Sequence, residues 1–207
     1  MIAEAIPFEI HVTMAEFDLS RREAFEEICT QHAAKPLFIE LSRGQFQNQP
    51  MFSKVIWTKD MHEAIRLSEE FGLLFGRAGF LPKRLKIEVP LEHAHHFPEN
   101  KCDTPGHYYE WHGKVAYERV ESLLKLCDRH RVHVSLNALK NDPHLRFITL
   151  REPGAETLFK SRVGRLIAEL QEEGRMVSKQ HFEYCIFDTN TQLDSGWLSD
   201  NIHHPDL

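Results

Sequence analysis

Apolar and polar residues alternate along Phe8-Glu9-Ile10-His11-Val12-Thr13-Met14, the period of a strand with one face in a core. After it, Ser20-x-x-Glu23 reads as a capping box ahead of Ala24, Phe25, Ile28 and Cys29 at helical spacing. The stretches 36–41 and 52–58 read as two more strands, joined by a polar turn from Arg43 to Pro50. Asp60 and Glu63 can cap a second helix whose Ala64, Ser68, Phe71, Phe75 and Ala78 form one face before Gly79 and Pro82 stop it. Leu85 to Val89 closes this half as a fourth strand.

The same order returns after residue 106. Tyr108 to Val115 alternates as a strand and repeats the Glu-x-His triplet of Glu9 and His11 as Glu110 and His112. A helix follows over 117–130, with Tyr117, Val120, Leu124 and Cys127 inward, then strands over 131–139 and 145–150. Val163, Leu166, Ile167 and Leu170 face inward from a helix that begins near Thr157 and ends at Gly174, and His181 to Phe187 is the last strand. An offset of 95 relates Gly174 to Gly79 and lays Val132, Val134 and Leu136 over Leu37, Ile39 and Leu41.

Strand-helix-strand-strand-helix-strand, met twice, is the ferredoxin-like order. The expectation is an α+β chain of tandem duplicated ferredoxin-like (βαββαβ) units with antiparallel sheets, whose open faces form a central cleft. The boundaries are a first repeat over 1–90, a linker over 91–106, a second repeat over 107–188 and a C-terminal tail over 189–207, in which Trp197 docks. The face opposite the helices carries Glu9, His11, Thr13, Phe38, Glu40, Ser42, Lys86 and Glu88 in the first half. In the second it carries Tyr108, Glu110, His112, Lys114, His133, Ser135, Asn137 and Cys185.

That face is where chemistry is expected. His11, His112, His133, Glu9 and Glu110 are the candidate catalytic residues, because imidazoles and carboxylates brought together on rigid strands suit acid–base work. His11, His112 and Glu88 are the candidate ligands of a divalent metal, zinc or iron. The expected function is binding of a small polar molecule with a ring or acyl part, by an enzyme. The competing class is a non-catalytic ligand-binding or assembly module that uses its open faces in a homodimer.

Composition narrows the partners. With 207 residues, 42% hydrophobic, and a formal charge of -6, the chain can bury a core but offers no basic field for a phosphate backbone, so nucleic acid is not expected. No run of about 18 apolar residues and no basic-then-apolar leader is present, so the expectation is a cytoplasmic protein with no membrane partner. Cys29, Cys102, Cys127 and Cys185 are scattered and read as reduced thiols.

A second reading rests on His11-Val12-Thr13-Met14 and His133-Val134-Ser135-Leu136. These eight residues resemble the paired H-x-T/S motifs of two-histidine phosphoesterases. The resemblance implies a hydrolase in which His11 and His133 act as acid and base on a phosphate ester, while Thr13 and Ser135 hold phosphate oxygens. Two further clusters read as structure: Glu92-His93-Ala94-His95-His96 as a solvated linker, and Arg43 to Pro50 as a long hairpin turn.

Overall fold

The computed structural model describes residues 4–97, 107–140 and 142–196. The first half runs β1 (Ile6–Met14), α1 (Arg22–Gln31), β2 (Lys35–Leu41), β3 (Asn48–Thr58), α2 (Met61–Arg77) and β4 (Pro82–Pro90). The second runs β5 (Tyr108–Ala116), α3 (Val120–His130), β6 (His133–Asn137), β7 (Leu145–Glu152), α4 (Glu156–Glu172) and β8 (Ser178–Asp188).

The strands do not form two ferredoxin-like sheets facing each other across an open cleft. They form one closed antiparallel barrel in the order β1-β3-β2-β6-β7-β5-β8-β4. The physical reason lies at the edges. An open four-stranded sheet leaves two strands with unpaired N–H and C=O groups. Here β2 pairs with β6, from Ile39↔Asn137 to Leu41↔Ser135, and β4 pairs with β8, from Lys86↔Asp188 to Pro90↔Glu183. Each half satisfies the edges of the other, and closure leaves none exposed.

Closure also decides where the core lies. Phe8, Ile10, Val12, Phe52 and Ile87 point out of the barrel and are buried under α1 and α2, which contribute Phe25 and Phe75. Tyr109, Trp111, Val134 and Ile148 do the same under α3 and α4, which contribute Leu123, Phe159 and Leu166. The apolar core is thus a shell between wall and helices, and the alternate residues of each strand fill a polar interior. No helix among the described residues is long and apolar enough to cross a membrane.

Local expectations are corrected in three places. The first helical segment is capped by Asp18, whose carboxylate accepts from the Ser20 amide at 2.8 Å, and not by Ser20. On α3 the buried residues are Leu123, Leu126 and Cys127, so its inward face is turned from the one expected through Tyr117, Val120 and Leu124. The phase of β2 is reversed. Register sets Lys35 opposite Ser53, which faces inward, so Leu37, Ile39 and Leu41 line the interior while Phe38 packs outward against Phe17 and Phe25. Glu40 is exposed. The Trp197 tail, Cys102 and the linker after Phe97 lie outside the described residues.

Candidate functional site

The interior of the barrel holds a cavity of about 290 Å³. Strand alternation supplies it with Glu9, His11 and Thr13 from β1, Lys86 and Glu88 from β4, Glu110 and His112 from β5, and His133, Ser135 and Asn137 from β6. All five candidate catalytic residues therefore lie in one lined space, inside a wall and not between two lobes. An assembly contact through Glu9 and His11 is closed off by the same geometry.

One end of the barrel is sealed. Arg84 at the start of β4 donates to both Asp188 and Asp194, at 2.9 and 3.0 Å through Nε and Nη1. Arg151 at the end of β7 donates to Asp194 at 2.5 Å and stacks over the Tyr108 ring at 4.0 Å. The Tyr108 hydroxyl donates to Asp188 at 2.8 Å. Asp194 belongs to a single 3-10 turn (Thr191–Asp194) that follows β8, and the Gln49 side chain donates to its Leu193 carbonyl at 3.1 Å. The loop expected as a plain hairpin turn helps seat this segment, since the Gln45 amide donates to Ser195 at 3.0 Å.

Across the middle runs a chain of alternating acids and bases. His11 Nε2 lies 3.6 Å from Glu9 and 3.1 Å from Glu88. Lys86 Nζ bridges Glu88 at 2.8 Å and Glu110 at 2.9 Å. His112 Nε2 lies 3.0 Å from Glu110 and 3.4 Å from Glu183, and its Nδ1 meets Thr149 Oγ1 at 2.8 Å. Ser53 holds Glu9 by a hydrogen bond. The chain joins β1, β4, β5 and β8, two strands from each half.

Each charge in it is set by burial and by its neighbours. Burial opposes the Lys86 ammonium, but Glu110 and Glu88 outweigh it and hold its pKa above the usual lysine value. Burial likewise opposes charge on both imidazoles. Glu88 and Glu9 prevail at His11, Glu110 and Glu183 prevail at His112, and both stay protonated to higher pH than a free histidine. Glu88 is driven down to about 2 and Glu110 well below the carboxylate range, in each case against burial, chiefly by Lys86. Glu183 goes the other way: burial and the Glu88 charge push it up to about 7, against the pull of His112. His133, buried near the sealed end, is pushed down to about 4 by burial.

These neighbours overturn the expected metal centre. No group of three or more His, Cys, Asp or Glu among the described residues is arranged to hold a metal ion. Where His11, His112 and Glu88 were expected to converge on zinc or iron, the Lys86 ammonium lies between the two halves and bridges Glu88 and Glu110, and Arg151 pairs with Glu110 as well. The His93, His95 and His96 cluster falls on a 3-10 turn (Leu91–His96), where His95 bonds the Glu92 carbonyl at 2.7 Å. Cys185 is buried, and burial pushes its thiol up to about 12, which disfavours the thiolate. His11 and His133 both face the interior, on β1 and β6, with β3 and β2 between them in the wall.

The other end is open. Lys35 at the start of β2, Lys114 near the end of β5, and Lys179 and His181 at the start of β8 line the cavity there, and Lys35, Lys179 and His181 are exposed. Inside, Arg84, Lys86, Arg151, His11 and His112 are matched by Glu9, Glu88, Glu110, Asp188 and Asp194. The mouth has no such balance. Sequence reasoning missed Glu183, Arg84, Arg151 and the bridging role of Lys86. The signal for Glu183 was present, because it shares the alternation of Cys185, which was assigned to the correct face.

Comparison with known proteins adds no constraint: neither a family model nor a curated protein matches this sequence.

Proposed function

We propose that the barrel binds a small polar molecule and catalyses proton transfer on it, with Glu183 and His112 as the exchanging pair. The observation that carries this is a carboxyl that titrates near neutrality, 3.4 Å from an imidazole held by Glu110 and Thr149, both lining one cavity. A carboxyl raised toward neutrality beside an imidazole raised above its ordinary value, on rigid strands, is a pair suited to proton transfer. The cavity is at the small end of ligand pockets, which favours a compact molecule.

The test is incubation with a panel of small carbonyl and hydroxy compounds in D2O, followed by NMR for protein-dependent deuterium incorporation. Wild type is expected to exchange at least one compound, and Glu183→Gln and His112→Gln to lose about 10²-fold or more of that rate while still binding it. Binding without exchange would leave a non-catalytic ligand-binding protein, and exchange indifferent to both substitutions would remove the assigned pair.

A further inference from the structure

Three lysines gather at the mouth, and Lys35 among them reaches inward only as a field that, against burial and after His11, helps hold Glu9 below its ordinary pKa. The chain carries a formal charge of -6, yet Lys35, Lys114 and Lys179 share the open end of one cavity. None of the three is ion-paired among the described residues; Lys114 rests over the Phe147 ring at 4.8 Å. Lys125 and Lys160, by contrast, each pair with a glutamate one helical turn away. The mouth lysines come from β2 on one side of the rim and from the paired neighbours β5 and β8 on the other. A barrel wall focuses their field into the opening, because the deeper charges cancel and the low-dielectric shell does not screen it. Lys179 holds its place at a local backbone distortion, with φ of 50° next to the register shift between His112 and Lys114.

We infer that the ligand of this cavity is a small organic oxyanion, a carboxylate or a phosphate ester, whose anionic group is held by Lys35, Lys114 and Lys179 while its other end reaches inward toward His112 and Glu183. The inference rests on the reading of the barrel as a small-molecule site and adds the chemical class of the guest. A neutral guest would leave Lys114 and Lys179, side by side on paired strands, and Lys35 on the other side of the rim as like charges at one opening. An oxyanion relieves that repulsion and gains charge-assisted hydrogen bonds.

Three probes of similar ring size separate the cases: benzoate, phenyl phosphate and neutral benzyl alcohol, each titrated calorimetrically into the full chain at low and at high salt. One or both anions are expected to bind at least tenfold more tightly than the alcohol and to weaken with salt. Whichever anion binds better identifies the oxyanion. Lys35→Ala, Lys114→Ala and Lys179→Ala are each expected to weaken that anion about three- to tenfold and to leave the alcohol unchanged. Their melting temperatures, compared with wild type, verify that the barrel is intact. Equal affinity for the alcohol, no anion binding at millimolar concentration, or anion affinity within twofold of wild type in all three variants would overturn the inference. Glu183→Gln keeps all three lysines. Anion binding that persists in it, with exchange lost, is the result expected when both readings hold; anion binding by wild type without any deuterium exchange would sink the catalytic reading alone, and exchange on neutral compounds only would sink this one alone.

Discussion

Lys86 is the residue on which the interior balances. Its ammonium bridges Glu88, 1% exposed, and Glu110, 2% exposed; Glu88 is met besides by His11, and Glu110 by Arg151 and His112. Removing one partner of a buried pair leaves the other as uncompensated charge. Lys86→Met is therefore expected to cost about 3–5 kcal/mol in urea denaturation, and adding Glu88→Gln, whose other partner His11 can give up its proton, to recover part of it. Glu183 makes a pH-dependent contribution of opposite kind. Its folded pKa of about 7 is above the ordinary value of 4.5, so the folded state binds the extra proton. Stability from this group is complete below about pH 4.5 and is lost as pH rises through 7. Glu183→Gln should raise stability at pH 8 by roughly 1–3 kcal/mol and change it little at pH 4.5, as read from melting curves at the two pH values. At this scale the sequence was informative about which residues face inward, because Glu9, His11, Glu110 and His112 alternate cleanly with apolar neighbours. It could not show that Lys86 links the two Glu-x-His triplets, since that contact joins strands from different halves.

Elements were legible where periodicity alone defines them and misphased where a neighbouring strand does. The segment Lys35-Pro36-Leu37-Phe38-Ile39-Glu40-Leu41 is apolar on both alternations, so nothing in it reveals which side faces the helices; the register with β3 decides. The offset of 95 misled for the same reason. It lays Ile39, which lines the cavity, on Val134, which is buried outside the barrel. A related constraint acts on β5. A methyl group on Gly113 would lie 2.5 Å from the Trp111 ring and 2.7 Å from Val177, in a strand whose pairing shifts between His112 and Lys114. Gly113→Ala is expected to lower stability by about 1–3 kcal/mol through overpacking, seen as a lower melting temperature. At the start of α2, the Asp60 carboxylate accepts from the His62 amide at 2.9 Å. Asp60→Ala should cost about 1 kcal/mol in the same assay.

Two seams hold the molecule closed, and they are unequal. Between β2 and β6 the ladder covers Ile39, Glu40 and Leu41, with one further bond from the Ser42 amide to the Val134 carbonyl at 3.2 Å, whereas β4 and β8 pair from Lys86 to Pro90 and are tied again by Arg84 to Asp188. Hydrogen exchange is expected to be faster at the amides of 39–41 and 135–137 than along β1 and β3, which pair over eight positions. Uniform protection around the wall would contradict that order of stability. Closure was the part least legible in the chain. Strand alternation reports which residues share a face, and is the same for an open sheet and for a barrel; the joining of β2 to β6 is a contact across about a hundred residues that no local pattern records. The turn Thr191–Asp194 adds a last consequence. Among the described residues it stops one end of a cavity whose other end carries the three lysines, so a protein shortened to Asp188 would become a pipe with two exits. Any guest of the kind proposed would then escape by the back as well as the front, and residence time would fall before the rate of arrival did.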